Sequence, residues 1–140
     1  MPRYLLDTVT VSELRRDKGK MHPGVWRWQS GIGDVWLSVI TLNEIRYGMR
    51  KVERKDPDFA ARLAAWYATI VAQPQRFRIL GVDRAIAEQA ADYRAAHGTS
   101  TEDSLIAATA KVHRLTLATR NTADFAATGI QLVNPWEHPA

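Results

Sequence analysis

Two apolar rhythms alternate along the chain. Short runs rich in leucine, β-branched and aromatic residues are separated by longer stretches in which apolar residues return every three or four positions. The short runs YLLDT, VWLSVI, RILGV, LTLAT and IQLVN each predict a strand. The clearest helical pattern is Phe59, Leu63, Trp66, Tyr67, Ile70 and Val71, which share one face and end before Pro74. A second helix is expected from Arg84 to Ala96. A third is expected from about Glu102 to His113, with Leu105, Ile106, Thr109 and Ala110 on one side. The charged piece RKVERKDPD is expected to join two consecutive helices after the second strand. Strands alternating with helices define an α/β fold, a central parallel sheet of about five strands with helices on both faces. No repeat, low-complexity run or Pro/Gly/Ser linker divides the chain, so residues 1–140 read as one domain. The five tryptophans are expected to be core or interface mass, with Trp136 holding the C-terminus down.

Composition narrows the class. A hydrophobic fraction of 46% and a charged fraction of 24% are those of a globular protein. The absence of cysteine excludes disulfides and thiolate metal sites and suits a reducing cytoplasm. MPRYLLDT shows no long apolar run before a polar break, and no stretch is apolar for the length of a membrane span, so neither a signal peptide nor a membrane partner is expected. The net charge of +4 favours a polyanionic partner only weakly, because the basic residues form no tail or repeat.

The acids change the picture more than the charge does. Asp7 closes the first strand and precedes no obvious helix-start signature that uses it. Glu44 lies just past the second strand in SVITLNEIRYG, Asp103 opens the helix after HGTST, and Asp124 follows the fourth strand in LATRNTADF, three residues after Asn121. Strand-to-helix junctions of a parallel sheet lie at the carboxyl ends of the strands, where open α/β sheets bind ligands. Asp103 begins a helix that leads into a strand, so alternation alone does not force it to that edge. Each acid also has an ordinary reading. Thr41-x-x-Glu44 looks like a capping box with Glu44 at the third helical position, and Ser100-x-x-Asp103 and Asn121-x-x-Asp124 share the spacing. As a set, however, converging carboxylates repel one another unless a cation relieves them. With no Cys, and no His near the acid motifs, that cation is the oxygen-seeking Mg²⁺ or Mn²⁺ and not zinc. Such a site suits metal-assisted hydrolysis of a phosphodiester, and nucleic acid is the substrate whose charge matches a basic chain.

LLDTVTVSEL resembles the opening LLDTNVISEL of PIN-domain nucleases, and LSVITLNEIRYG is similar to their second motif. STEDSLIAATAKVHRLTLATRNTADFAATGIQLVNPW resembles the third and fourth motifs of VapC-type toxins, especially the FitB-like branch. The resemblance covers nearly the whole chain in the expected order. It implies a PIN fold and an Mg²⁺-dependent endoribonuclease acting on RNA, leaving a 5′-phosphate and a 3′-hydroxyl. It also implies a cognate antitoxin that blocks the site, and a homodimer. By motif, Asp7, Glu44 and Asp103 match the three acidic positions and are the expected metal ligands, Glu44 directly or through water. Asn121 matches the fourth position, with Asp124 one turn on. Thr8 matches the hydroxyl beside the first acid, and Arg120 is placed to meet a phosphate. One departure stands out. The family's asparagine two places after the first acid, which would hydrogen-bond the loop around the carboxylates, is Val9 here.

Val9 and Asn121 favour an alternative, a catalytically weak PIN-like module that binds RNA or DNA together with an antitoxin. A phosphatase using an aspartyl nucleophile is a weaker reading, because such enzymes need a second acid where Val9 stands. The helices around TLNEIRYGMRK and FAARLAAWYATIVA, rich in aromatic and basic groups, are expected to form a groove for an amphipathic antitoxin segment.

Overall fold

In the computed structural model, which describes residues 2–140, all five expected strands form: β1 (Tyr4–Leu6), β2 (Val35–Ser38), β3 (Phe77–Leu80), β4 (Thr116–Ala118) and β5 (Leu132–Val133). They pair in parallel in the order β3-β2-β1-β4-β5. Side chains alternate across the sheet with period two. Leu5 of β1 and Leu117 of β4 join Ile86, Ile106 and Phe125 in one core layer. The next residues along, Leu6 and Ala118, join Leu37, Val11, Ile45 and Ile70 in the layer on the opposite side. Burying each of these leucines and isoleucines is worth about 1.5–3 kcal/mol.

The helices are α1 (Thr8–Glu13), α2 (Pro23–Ser30), α3 (Val39–Val52), α4 (Pro57–Val71), α5 (Arg84–His97), α6 (Thr101–His113) and α7 (Thr122–Phe125). Most start on a polar cap. Ser38, Asp56, Asp83 and Ser100 each accept a backbone N–H from the first turn of α3, α4, α5 and α6. Gly98, with φ 67°, supplies the left-handed residue that ends α5. The bounds of α4 and α5 fall where the apolar spacing put them, and RKVERKDPD does join α3 to α4. Among the described residues no helix is long and apolar enough to cross a membrane.

Four expectations need correction. Asp7 does begin a helix: its Oδ1 accepts the Thr10 N–H at 2.9 Å, capping α1. The β-branched run TVTV hid that helix, because it reads as strand until the cap is seen. Thr41-x-x-Glu44 is not a capping box. α3 starts three residues earlier, capped by Ser38, so Thr41 is fully buried inside the helix and Glu44 lies in its second turn. Asn121 precedes α7 but makes no side-chain cap bond. Finally, α6 is not a one-sided helix. Ser104 and Ile106–Ala110 are all buried, because α6 packs against α5 on one side and β4 on the other. Its alanines allow that close approach.

The C-terminus ends in a 3-10 turn, Pro135–Glu137, packed on α2. Trp136 is half-buried there, as expected of a residue that holds the end of the chain. A Cβ on Gly24 would meet the Trp136 carbonyl oxygen at 2.6 Å, so only glycine permits this approach. Trp28 is buried against Tyr4, and the other tryptophans are half-buried.

Candidate active site

The strand order reverses beside β1. The chain moves from β1 outward to β2 and β3, then returns through α5 and α6 to β4 on the other flank of β1. The crevice at the carboxyl ends of β1 and β4 is therefore the switch point of the sheet, the place where open α/β folds accept ligands. Asp7 follows β1 directly and Thr119 follows β4 directly. α6 must end at the amino edge to feed β4, so its first turn, with Glu102 and Asp103, is carried to the carboxyl edge. The closeness of Asp103 to Asp7 and Asp124 shows this placement, which alternation left open.

Asp7 is buried and held from two elements. Its Oδ1 accepts from the Thr10 backbone, and its Oδ2 accepts the Thr119 hydroxyl at 2.6 Å. Thr10 in turn donates its hydroxyl to the Ala118 carbonyl at 2.8 Å, fastening α1 to β4. Glu44, from α3, is held above the ordinary carboxylate range, first by burial and then by the like charges of Glu102, Asp103 and Asp7. The nearby Thr8 hydroxyl pulls it part of the way back. Asp103 is likewise raised, first by burial and then by Asp124, Asp7 and Glu102, while the Ser100 hydroxyl opposes the shift. Asp103 and Asp124 also face one open pocket with His97 and Ser100. Acids from α1, α3, α6 and α7 thus share one electrostatic neighbourhood.

The structure brings together Asp7, Glu44, Asp103 and Asp124, and it places Thr8 next to Glu44. Asn121 lies on the rim, its N–H donating to the Thr119 hydroxyl at 3.0 Å. Arg120 is exposed, with its guanidinium 5.4 Å from the centre of the Trp136 ring. Two members of the neighbourhood were not singled out from the sequence. Glu102 sits beside Asp103 in a first turn, where an acid needs no explanation beyond the helix dipole. Thr119 looks like an ordinary strand-end residue until β4 is set beside β1.

Among the described residues, no three His, Cys, Asp or Glu side chains stand at ion-holding distances. The residues nevertheless fit a hard divalent cation by two tests. The ionisable groups converging there are carboxylates apart from His97, which lines the same pocket as Asp103 and Asp124 and corrects the expectation of no histidine near the acids. The Thr8 hydroxyl oxygen is also buried in the same wall, close enough to act on Glu44 but in no hydrogen bond of good geometry, so a polar atom there is left incompletely satisfied.

A PIN-domain family model matches residues 4–130. The chain is 35% identical to the toxin FitB of Neisseria gonorrhoeae, over 94% of its own length and 97% of that protein's. It is 32% identical to the VapC ribonuclease Y4jK of Sinorhizobium fredii, over 95% and 97%. A solved toxin–antitoxin complex from Klebsiella pneumoniae contains a chain that superposes with a TM-score of 0.64 at 26% identity, covering 94% of this chain and 97% of that one. The chain belongs to the PIN-domain family, and its relatives carry the names of toxins and ribonucleases.

Proposed function

We propose that the chain is the toxin of a VapBC/FitAB-type pair, a metal-dependent endoribonuclease that a cognate antitoxin restrains. The observation that carries this reading is the convergence of acids on the switch-point crevice: Asp7 and Glu102 raise the proton affinity of both Glu44 and Asp103, Asp103 raises that of Glu44, and Asp124 that of Asp103. Kinship with FitB and Y4jK supports the substrate class.

Asp7 and Asp103 would hold Mg²⁺ or Mn²⁺, with Glu44 bound directly or through water. The bound ion supplies charge neutralisation at the phosphate and acidifies water. Glu44 orients the attacking water and takes its proton. The Thr8 hydroxyl, beside Glu44, steadies that water. The water oxygen bonds to phosphorus, the bond from phosphorus to the 3′ oxygen breaks, and that oxygen takes up a proton, leaving a 5′-phosphate and a 3′-hydroxyl. Asp124 and Asn121 close the far side of the crevice. Arg120, already stacked on Trp136, offers the incoming backbone a cation.

The antitoxin surface we infer is the groove between α3 and α4, lined by Met49, Ala60, Ala61 and Ala64, with Arg46, Arg50 and Glu53 along its rim, Glu53 paired to Arg50. Small apolar residues beside the cation of Arg46 suit one face of an amphipathic segment that brings an acid to that end of the groove. A homodimer completes this reading, and light scattering at micromolar concentration tests it. The reducing cytoplasm is the compartment we assign.

The test is cleavage of RNA by the chain, expressed free of antitoxin, with Mg²⁺ or Mn²⁺ and beside Asp7→Asn. Equal cleavage by both proteins removes Asp7 from the mechanism. The open spacing of the acids favours one second reading, a nucleic-acid-binding module with weak catalysis. Retained RNA binding with no Mn²⁺ uptake at sub-millimolar concentration would establish it.

A further inference from the structure

We infer that Thr119 is the positioning residue for Asp7 in this chain, holding its Oδ2 from the end of β4 without help from position 9. The inference rests on the metal-site reading above.

Thr119 is fully buried at the end of β4, and its backbone N–H is fixed to the Val133 carbonyl at 3.0 Å. Its hydroxyl has one proton to give. The oxygen already accepts the Asn121 N–H at 3.0 Å, so the proton is committed to Asp7 Oδ2, 2.6 Å away. A hydroxyl donating to a carboxylate at that distance is a short, charge-assisted bond. With Thr10 on Oδ1, both carboxylate oxygens are held, and each keeps a further lone pair uncommitted. The same hydroxyl ties Asp7 to the turn that presents Asn121 and Asp124, so the two banks of the crevice move together. Val9 contributes nothing to this clamp. It is 45% exposed on α1 and has no polar atom in its side chain to offer. Both oxygens of Asp7 are therefore held with no contribution from position 9.

The experiment is Mn²⁺ binding to the metal-free full chain, read by isothermal titration and by electron paramagnetic resonance of free Mn²⁺. Thr119→Val, Thr119→Ser and Val9→Asn are compared with the wild type. Thr119→Val keeps the shape and removes the hydroxyl; it should weaken Mn²⁺ binding about 10–100-fold, the usual loss when the partner of a ligand is removed. Thr119→Ser should restore binding to within about threefold of wild type, because it restores the bond to Asp7. Val9→Asn should also stay within about threefold, since both oxygens of Asp7 are already held. RNA binding without metal should be unchanged in all three, which a general loss of structure would not allow. Wild-type affinity in Thr119→Val overturns the inference, as does tenfold tighter binding in Val9→Asn. The second variant decides the matter even if Thr119→Val does not fold. Absence of Mn²⁺ binding by the wild type overturns both this inference and the nuclease reading. Binding by the wild type that is indifferent to Thr119 overturns this inference alone.

Discussion

Neutralising Glu44 or Asp103 should stabilise the metal-free protein at neutral pH. In each case the folded state raises the proton affinity of the carboxyl, chiefly by burial and then by neighbouring acids. A group whose pKa is raised on folding stabilises the fold while protonated, and that contribution is lost as pH rises through the raised value. At pH 7 the ionised cluster therefore works against folding. Both side chains are partly open to solvent, so the repulsion is screened and each neutral amide should gain only about 0.3–1 kcal/mol. For a domain of this size that is roughly 1–4 °C in Tm. Calorimetry of wild type, Glu44→Gln, Asp103→Asn and the double variant in chelator, from pH 4 to 8, reads the effect. The amides should melt higher at pH 7, the gain should shrink in high salt, and it should fade as pH falls through the carboxylate range. Adding Mn²⁺ should reverse the order. At about 100 times Kd the ion stabilises the wild type by about 2.7 kcal/mol, and the double variant should lose most of that. Amides that melt lower than wild type at pH 7, or a difference that does not move with pH, would refute the argument that these acids repel one another.

Three further outcomes follow from other parts of the molecule. Gly24→Ala places a Cβ 2.6 Å from the Trp136 carbonyl and 2.9 Å from that of Pro135, both rigid backbone, so it should cost about 1–3 kcal/mol and expose the C-terminal turn to protease. Burial raises the Tyr93 phenol, so its share of stability is present below the ordinary phenol range and lost as pH climbs through the raised value; Tyr93→Phe should flatten the alkaline limb of a urea-denaturation series. Ala61→Arg fills the α3–α4 groove and should weaken antitoxin capture at least about tenfold while RNA cleavage stays at the wild-type rate, measured by calorimetric titration and gel assay.

How much of this was legible in the sequence depends on the range of the physics involved. Strands were legible because period-two burial is local: Leu5 and Leu6 face opposite layers whatever surrounds them. The bounds of α4 and α5 were legible for the same reason. α1 was not, since four β-branched or hydroxyl residues after Asp7 carry no helical preference, and the helix exists because Asp7 caps it and Val11 is buried against the sheet. The start of α3 was misplaced because Ser38 and Thr41 are both good caps locally, and only burial of Thr41 decides between them. The one-sided view of α6 failed because a helix packed on both a sheet and another helix buries more than one stripe.

Within the site, the acids Asp7, Glu44, Asp103 and Asp124 could be named one by one, each at the end of an element, from local pattern and family motif. Their mutual repulsion could not, nor could the part played by Glu102 and Thr119. The sequence by itself determined which residues form strands and helices and which chemistry sits at their ends, because those depend on neighbours within a few positions. Only the tertiary structure decided that β4 lies against β1, since no local signal says which strands of a parallel sheet become neighbours. That choice sets Asp7 against a hydroxyl 112 residues away, and with it whether the first acid is held firmly enough to serve a metal.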